Sequence, residues 1–201
     1  MTQGPSLGSS LSPGWQGWLQ DSLTTRREQH LLRVKRPMQS PQGPQVRVDG
    51  CWLHNFCSND YLGLANEPVL AETLASAARS MGVGAGAAGL VCGHHQAHEA
   101  LAEELADWLG VESVLLFGNG YLANVGVLQA LVTKGDGIFQ DRLNHASLLD
   151  GGLASGARHQ RYGHADAADL ARRLGADVSR RRLIVSDGVF SMDGDLAPLS
   201  E

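Results

Sequence analysis

No uninterrupted apolar stretch in this 201-residue sequence is long enough to cross a bilayer. The start, Met1-Thr-Gln-Gly, has neither the basic nor the apolar region of a secretory signal. An exported or membrane-embedded protein is therefore not expected, and a cytoplasmic one is. Cysteine is scarce: Cys51, Cys57 and Cys92 are odd in number and include no Cys-x-x-Cys pair, which excludes a disulfide framework and points to reduced thiols. Basic charge is also short. Sixteen Lys and Arg stand against 21 Asp and Glu, a net charge of −5 with a pI near 5.9, so neither nucleic acid nor an anionic membrane is an expected partner. There is no internal repeat. The one histidine-rich stretch, His94, His95, His98 and Glu99, is not an H-E-x-x-H pattern and has no nearby Cys or Asp to complete a ligand set. It reads as the polar start of a helix, and no metal site is expected.

What is present has the makeup of a globular chain: 43% hydrophobic and 18% charged residues, enough length for a real core, and 25 glycines placed mostly at turns and strand ends. Residues 1–14 are rich in Gly, Ser and Pro and are expected to be a disordered tail. Residues 15–60 hold an amphipathic helix, Trp15 to Arg36, with Trp15, Trp18, Leu19, Leu23 and Leu31 on its apolar side, and then a hairpin over Gln45 to Phe56 around Asp49-Gly50. From residue 61 the pattern alternates. Helices are expected over 68–81, 96–109, 121–133, 146–154 and 166–174, and strands over 113–117, 137–140, 159–162 and 182–186. Strands separated by helices imply an α/β protein with a mainly parallel sheet, flanking helices and right-handed crossovers. Ligands in such sheets sit at the carboxyl ends of the strands.

Three segments fall at those ends. In Val114-Leu-Leu-Phe-Gly-Asn-Gly-Tyr121 an apolar run breaks at glycines and enters a helix, leaving backbone N–H groups free to hold a phosphate. Asp141-Arg-Leu-Asn-His-Ala-Ser147 puts His145 between a strand and a helix, with small neighbours that leave room for a flat ring. The plain alternative is a helix capped by Asn144 with a neighbouring histidine. Asp187-Gly-Val-Phe-Ser-Met-Asp-Gly-Asp195 is either a turn at Asp193-Gly194 or a loop offering the Ser191 hydroxyl to a ligand. Together they point to an aromatic phosphate between the helix N-terminus and His145. Gly84-Ala-Gly-Ala-Ala-Gly89 matches G-x-G-x-x-G but follows a helix rather than a strand, so it reads as a close-packed loop and not as a dinucleotide site. Asn59 sits in a helix-entry loop, and Arg33 reads by itself as a surface charge on the first helix.

Five stretches carry a resemblance: Asn55 to Leu64, Gly84 to Gly93, Phe117 to Asn124, Asp141 to Ser147 and Phe190 to Asp195. In this order they resemble the α-oxoamine synthases, pyridoxal-phosphate enzymes of the aspartate-aminotransferase-like fold (fold type I). The resemblance implies that the region is the first part of a large cofactor domain, incomplete at residue 201, preceded by the helical arm and hairpin. It implies that Gly120 and Tyr121 bind pyridoxal phosphate, that His145 stacks on its ring as a catalytic and substrate-contacting residue, and that Ser191 hydrogen-bonds its phenolic oxygen. Asn59 would meet the amino-acid carboxylate and Arg33 the acyl substrate. The glycine-using members tend to carry Thr-Arg in the glycine-rich loop. Ala88-Gly89-Leu90 stands here instead, which favours the biotin-pathway branch, where L-alanine condenses with a pimeloyl thioester with loss of CO₂, in a homodimer. The resemblance also places the Schiff-base lysine, and the acid that pairs with the pyridinium nitrogen, later than the matched region. The only lysines here are Lys35 and Lys134, so the chain by itself is expected to be inactive. Two other readings stay open: a glycine-using sibling, and a half-sheet that serves as an interaction module.

Overall fold

The computed structural model describes residues 12–200, so residues 1–11 of the expected tail lie outside the described part, and the chain divides into two compact units between Gly84 and Ala85. In the first unit, α1 runs Pro13–Glu28. It starts two residues before Trp15 because proline suits the first helical turn, where its missing N–H costs nothing. It also stops well short of Arg36. His30 takes a left-handed backbone (φ 56°), and the N–H groups of Leu31 and Leu32 fold back on the Arg26 carbonyl, closing the helix end. The segment that follows has no regular secondary structure until Met38 bridges Val48. Arg33 therefore lies on an irregular stretch and not on the helix.

The hairpin forms as its sequence dictates. Strands β1 (Gln45–Val48) and β2 (Cys51–His54) pair antiparallel around Asp49 and Gly50, both at positive φ (50° and 79°), the geometry that Asp-Gly favours in a two-residue hairpin turn. The Arg36 guanidinium pairs with Asp49 at the tip. Helix α2 (Pro68–Met81) keeps its expected bounds but buries no residue, leaving Leu70 and Leu74 exposed.

The second unit opens with the glycine-rich loop, a π-helical turn over Gly89–Gly93. Any Cβ at Gly93 would collide with the Ala87 carbonyl, so glycine is required there for close approach. Helix α3 (Gln96–Leu109) is closed by Gly110 in left-handed conformation, and its apolar side, with Leu101 and Trp108, is exposed. Helix α4 spans Gly120–Leu131. Strands β3 (Gly137–Asp141), β4 (Arg158–Tyr162) and β5 (Arg182–Val185) make an all-parallel sheet in the order β4-β3-β5, with α5 (Ala146–Ala154) and α6 (Ala167–Ala176) as crossovers. The steps from β3 to β4 and from β4 across to β5 run in opposite directions, so right-handed crossovers put α5 and α6 on opposite faces. Side-chain alternation agrees. Ile138, Leu183 and Val185 join Leu128, Val132 and Leu148 under α4 and α5, while Tyr162 and Ile184 line a groove with Leu170 and Leu174 of α6. With both faces covered, all five residues of β3 are buried.

One expected strand does not form. Residues 113–117 have no regular secondary structure and pair with no strand among the described residues, and Leu115 is 83% exposed. An apolar run becomes a strand only when a neighbour completes its ladder, and the described sheet brings none beside it. Phe117 turns back instead onto Gly126 of α4.

The amino ends of the strands are held by two buried carboxylates. Asp136 accepts from the Thr133 N–H and from the guanidinium groups of Arg180 and Arg181. Asp177 accepts from Gln160, Arg158 and the Ser179 N–H. Hydrogen bonding to Arg181 holds Asp136 far below the usual carboxylate range, Ser179 lowers Asp177, and the Gly163 N–H with Arg173 brings Asp169 to about 2. Each group keeps its charge in the fold at a pH where the unfolded chain has taken up a proton. Their stabilisation is therefore complete above about pH 4 and is lost as pH falls toward and through the lowered values. Thermal unfolding followed from neutral pH down to about pH 2.5 should show Tm falling throughout the acid limb. Asp136→Asn should lower Tm at neutral pH and flatten that limb; an unchanged acid limb in this variant would remove Asp136 from the account.

Candidate cofactor-binding site

The strand ends carry the groups that matter. Strands β3 and β4 send their chains to opposite faces, and open parallel sheets hold ligands at the carboxyl ends of strands that part in this way. Asp141 ends β3, His164 follows β4, and Asp187 follows β5.

His145 is exposed at the start of α5, with its ring orientation determined by neighbours. The Ser147 N–H donates to Nδ1 (3.2 Å), and Ser147 Oγ lies 2.7 Å from the same nitrogen. The backbone N–H makes Nδ1 an acceptor, so the hydroxyl donates to it as well while accepting from Asn124 of α4 at 2.9 Å. Nδ1 is then an acceptor, and the ring proton sits on Nε2. The backbone N–H of His145 donates to Asp187 Oδ2 at 2.6 Å, which ties the β3 loop to the β5 loop. Asn144 does not cap α5 as its residue type suggests; the His145 ring does. Asn144 instead donates to the Val185 carbonyl (2.8 Å) and accepts from the Asp187 N–H (3.0 Å), stitching the same two strand ends together.

Helix α4 presents its N-terminus with Asn119 as cap, whose side chain accepts from the Leu122 N–H at 2.9 Å. Such a cap contributes about 1 kcal/mol, and it leaves the amides of Gly120 and Tyr121 without an intrahelical acceptor. Tyr121 is 44% exposed and its hydroxyl is bonded to Asp150 of α5, which raises its pKa. What it can offer a ligand is its ring. Helices α4 and α5 approach closely because a Cβ at Gly151 would stand 3.0 Å from Val125 Cα. Through this contact and the Asn124–Ser147 bond, the α4 N-terminus and His145 belong to one packed body.

Ser191 sits exposed on a tight turn. The Phe190 N–H donates to the Asp195 carbonyl (2.9 Å), and the Gly194 N–H to the Phe190 carbonyl (2.8 Å). The structure thus gathers Gly120, Tyr121, His145 and Ser191 into one unit, the last two on loops from neighbouring strand ends. Arg33 and Asn59 belong to the other unit, and both are exposed, Arg33 on the irregular stretch after α1 and Asn59 in the loop after β2. The histidine cluster is absorbed by the start of α3: His94 pairs with Glu99 at 2.8 Å, and the His95 N–H donates to His98 Nδ1.

Four polar residues at these ends escaped the sequence reading as site builders: Asn124, Asp141, His164 and Asp187. The signal for His164 was available, since it follows its strand as His145 follows β3.

Residues 53–201 match the family model described as aminotransferase class I and II. The 8-amino-7-oxononanoate synthase of Methylococcus capsulatus is 57% identical over 169 residues, which are 84% of this chain and 44% of that protein. A serine palmitoyltransferase from S. paucimobilis, solved with a bound PLP–myriocin aldimine, superposes with a TM-score of 0.83 at 26% identity, over 93% of this chain and 48% of that one. An 8-amino-7-oxononanoate synthase from Francisella tularensis superposes with a TM-score of 0.59 at 26% identity, over 72% of this chain and 40% of that one. The chain spans a little under half the length of the curated relatives it matches.

The tautomer is directly testable. Long-range ¹H–¹⁵N correlation at neutral pH should find the His145 proton on Nε2. Ser147→Ala should mix the two tautomers, whereas an Nδ1–H ring in the unsubstituted chain would contradict the bonding described above.

Proposed function

Since the chain belongs to the aminotransferase class I and II family, we propose that it forms part of a pyridoxal-phosphate-dependent acyltransferase, an 8-amino-7-oxononanoate synthase. Such an enzyme joins L-alanine to a pimeloyl thioester, carried by coenzyme A or a carrier protein, and releases CO₂. The observation that carries this reading is the 57% identity to the Methylococcus synthase, which runs along 84% of the chain. The assembly proposed is a cytoplasmic homodimer; among the described residues no helix is long and apolar enough to cross a membrane.

The strand-end groups fit a flat, anionic cofactor. Gly118 and Gly120 leave open space where a Cβ would stand, and the His145 imidazole is exposed with its plane determined by Ser147. Amides at the α4 N-terminus suit a phosphate, since the helix dipole and the free N–H groups both favour negative charge. The Tyr121 ring and the His145 imidazole would contact the pyridine, and the Ser191 hydroxyl would donate to its phenolic oxygen. Pyridoxal phosphate, when bound, supplies an electron sink for charge formed at the amino acid's α-carbon. This chain's own contribution is orientation. His145 presents a ring face, and Asp187 holds its backbone. Asn59 would bind the amino-acid carboxylate, and Arg33 the acyl substrate. The attaching amine is not supplied from these strand ends. Lys134 precedes β3, at the opposite edge of the sheet, and Lys35 lies in the first unit, on the irregular stretch after α1.

Two measurements test the reading. The 201-residue chain given pyridoxal phosphate and borohydride should yield no stoichiometric fixed adduct; one adduct per chain, with turnover of L-alanine, would overturn the assignment of the lysine elsewhere. A chimera joining this chain to the remaining half of the Methylococcus synthase should release CO₂ from L-alanine and pimeloyl-CoA. His145→Ala should lower its kcat by about a hundredfold through loss of orientation. Preference for glycine over alanine would move the assignment to the glycine-using siblings, and inactivity with both, despite bound cofactor, would defeat it.

A further inference from the structure

His164 is held at both ring nitrogens by carboxylates from different parts of the chain. Nδ1 lies 3.0 Å from Asp141 Oδ1 at the end of β3, and Nε2 lies 2.8 Å from Asp195 Oδ2 on the Ser191 turn. Phe190, 3% exposed, meets the ring edge-to-face at 4.4 Å between centroids. Phe190 and Asp195 are the two feet of the turn, closed on each other by the Phe190 N–H. The residue after His164 is strained by this arrangement: Ala165 has φ 49°, a left-handed backbone that disfavours a side-chain-bearing residue, and its N–H donates to Asp141 Oδ2 at 2.8 Å. Asp141 Oδ1 also accepts the Leu143 N–H, at the root of the loop that carries His145. Asp195 Oδ1 is buried with no hydrogen-bond partner among the described residues, so its charge is answered through the His164 contact.

We propose that His164 is the positioning residue for Ser191, clamping both feet of the Phe190–Asp195 turn to the end of β3 and so setting the Ser191 hydroxyl in register with His145. The inference rests on the reading of Ser191 as a cofactor-binding residue. A ring with a carboxylate at each nitrogen donates twice only as imidazolium. The Asp141 hydrogen bond, and then Asp195, raise its pKa accordingly. The same connection carries Asp166, the N-cap of α6, and Asp169, which is paired with Arg172 and Arg173, while Asp177, Arg180 and Arg181 lie at its far end and are engaged at the amino ends of the strands. With a raised folded value, the ionic part of the clamp is complete below the ordinary histidine pKa of about 6.5 and is lost as pH climbs through the raised value.

Amide hydrogen exchange on the 201-residue chain, with and without pyridoxal phosphate, tests this. His164→Ala should speed exchange at Phe190 and Gly194 by about tenfold relative to the amides of β3. Asp195→Ala should do the same, while Asp195→Asn, whose amide oxygen still accepts from the ring, should restore most of the protection. In the unsubstituted chain, exchange at Phe190 relative to Gln140, corrected for intrinsic rates, should rise with pH through the imidazole titration. Unchanged turn exchange in His164→Ala overturns the proposal. If that variant unfolds, equal exchange in Asp195→Ala and Asp195→Asn overturns it. A clamp that behaves as described, with no change at the turn on adding pyridoxal phosphate to wild type or to the chimera, supports the clamp and counts against the cofactor reading of Ser191.

Discussion

Asp141 leaves the end of β3 with its carboxylate 1% exposed, and three separate donors converge on it: the Leu143 N–H, the Ala165 N–H and the His164 ring. A buried carboxylate needs partners for its lone pairs, because no water replaces them. Here the partners come from the loops after two adjacent strands. The path of the chain off β3 and off β4 is therefore a consequence of satisfying one acidic group. Asn144 links β3 to β5 in a similar way, donating to the Val185 carbonyl and accepting from the Asp187 N–H. The three strand ends consequently behave as one edge and not as three independent loops.

That edge is backed by a close-packed layer. Gly151 admits α4 against α5, and Gln140 donates from inside the sheet to the Leu148 carbonyl at 2.7 Å. The Asn124–Ser147–His145 chain of hydrogen bonds runs along the same contact. A change in how α4 seats on α5 would reach the imidazole through two bonds, and rigid elements hold a site to a closer tolerance than loops alone. At the other edge of the sheet, Asp136 and Asp177 bind arginines that a charge count would take for solubilising surface. The two edges use the same device, a buried carboxylate gathering donors from neighbouring connections: one maintains the sheet and the other ties the loops at the strand ends together.

Much apolar surface is left uncovered by the described residues. Leu70 and Leu74 of α2, Leu101 and Trp108 of α3, and Leu115 to Phe117 are all exposed. The chain spans less than half of its curated relatives, and these are the faces whose partners the described residues do not include. The helices form regardless, because their propensities, the Pro68 start and the Gly110 stop are local.

Local chemistry was legible without coordinates. The Asp49-Gly50 hairpin, the bounds of α2, α3 and α5, the parallel βαβ order and the position of His145 beyond a strand all follow from periodicity and turn residues, because each depends on neighbours a few positions away. Where α1 ends was not legible, since the left-handed His30 carries no glycine to announce it, and Arg33 was displaced from the helix as a result. The 113–117 strand was misjudged because a strand is a property of a pair, and pairing is decided by what lies alongside. The same holds for function at the strand ends. His145 could be picked out from its flanks, but the tautomer it holds and the double grip on His164 could not. Those depend on groups 23 and 31 residues apart along the chain meeting at one buried edge, and only the tertiary fold brings them there.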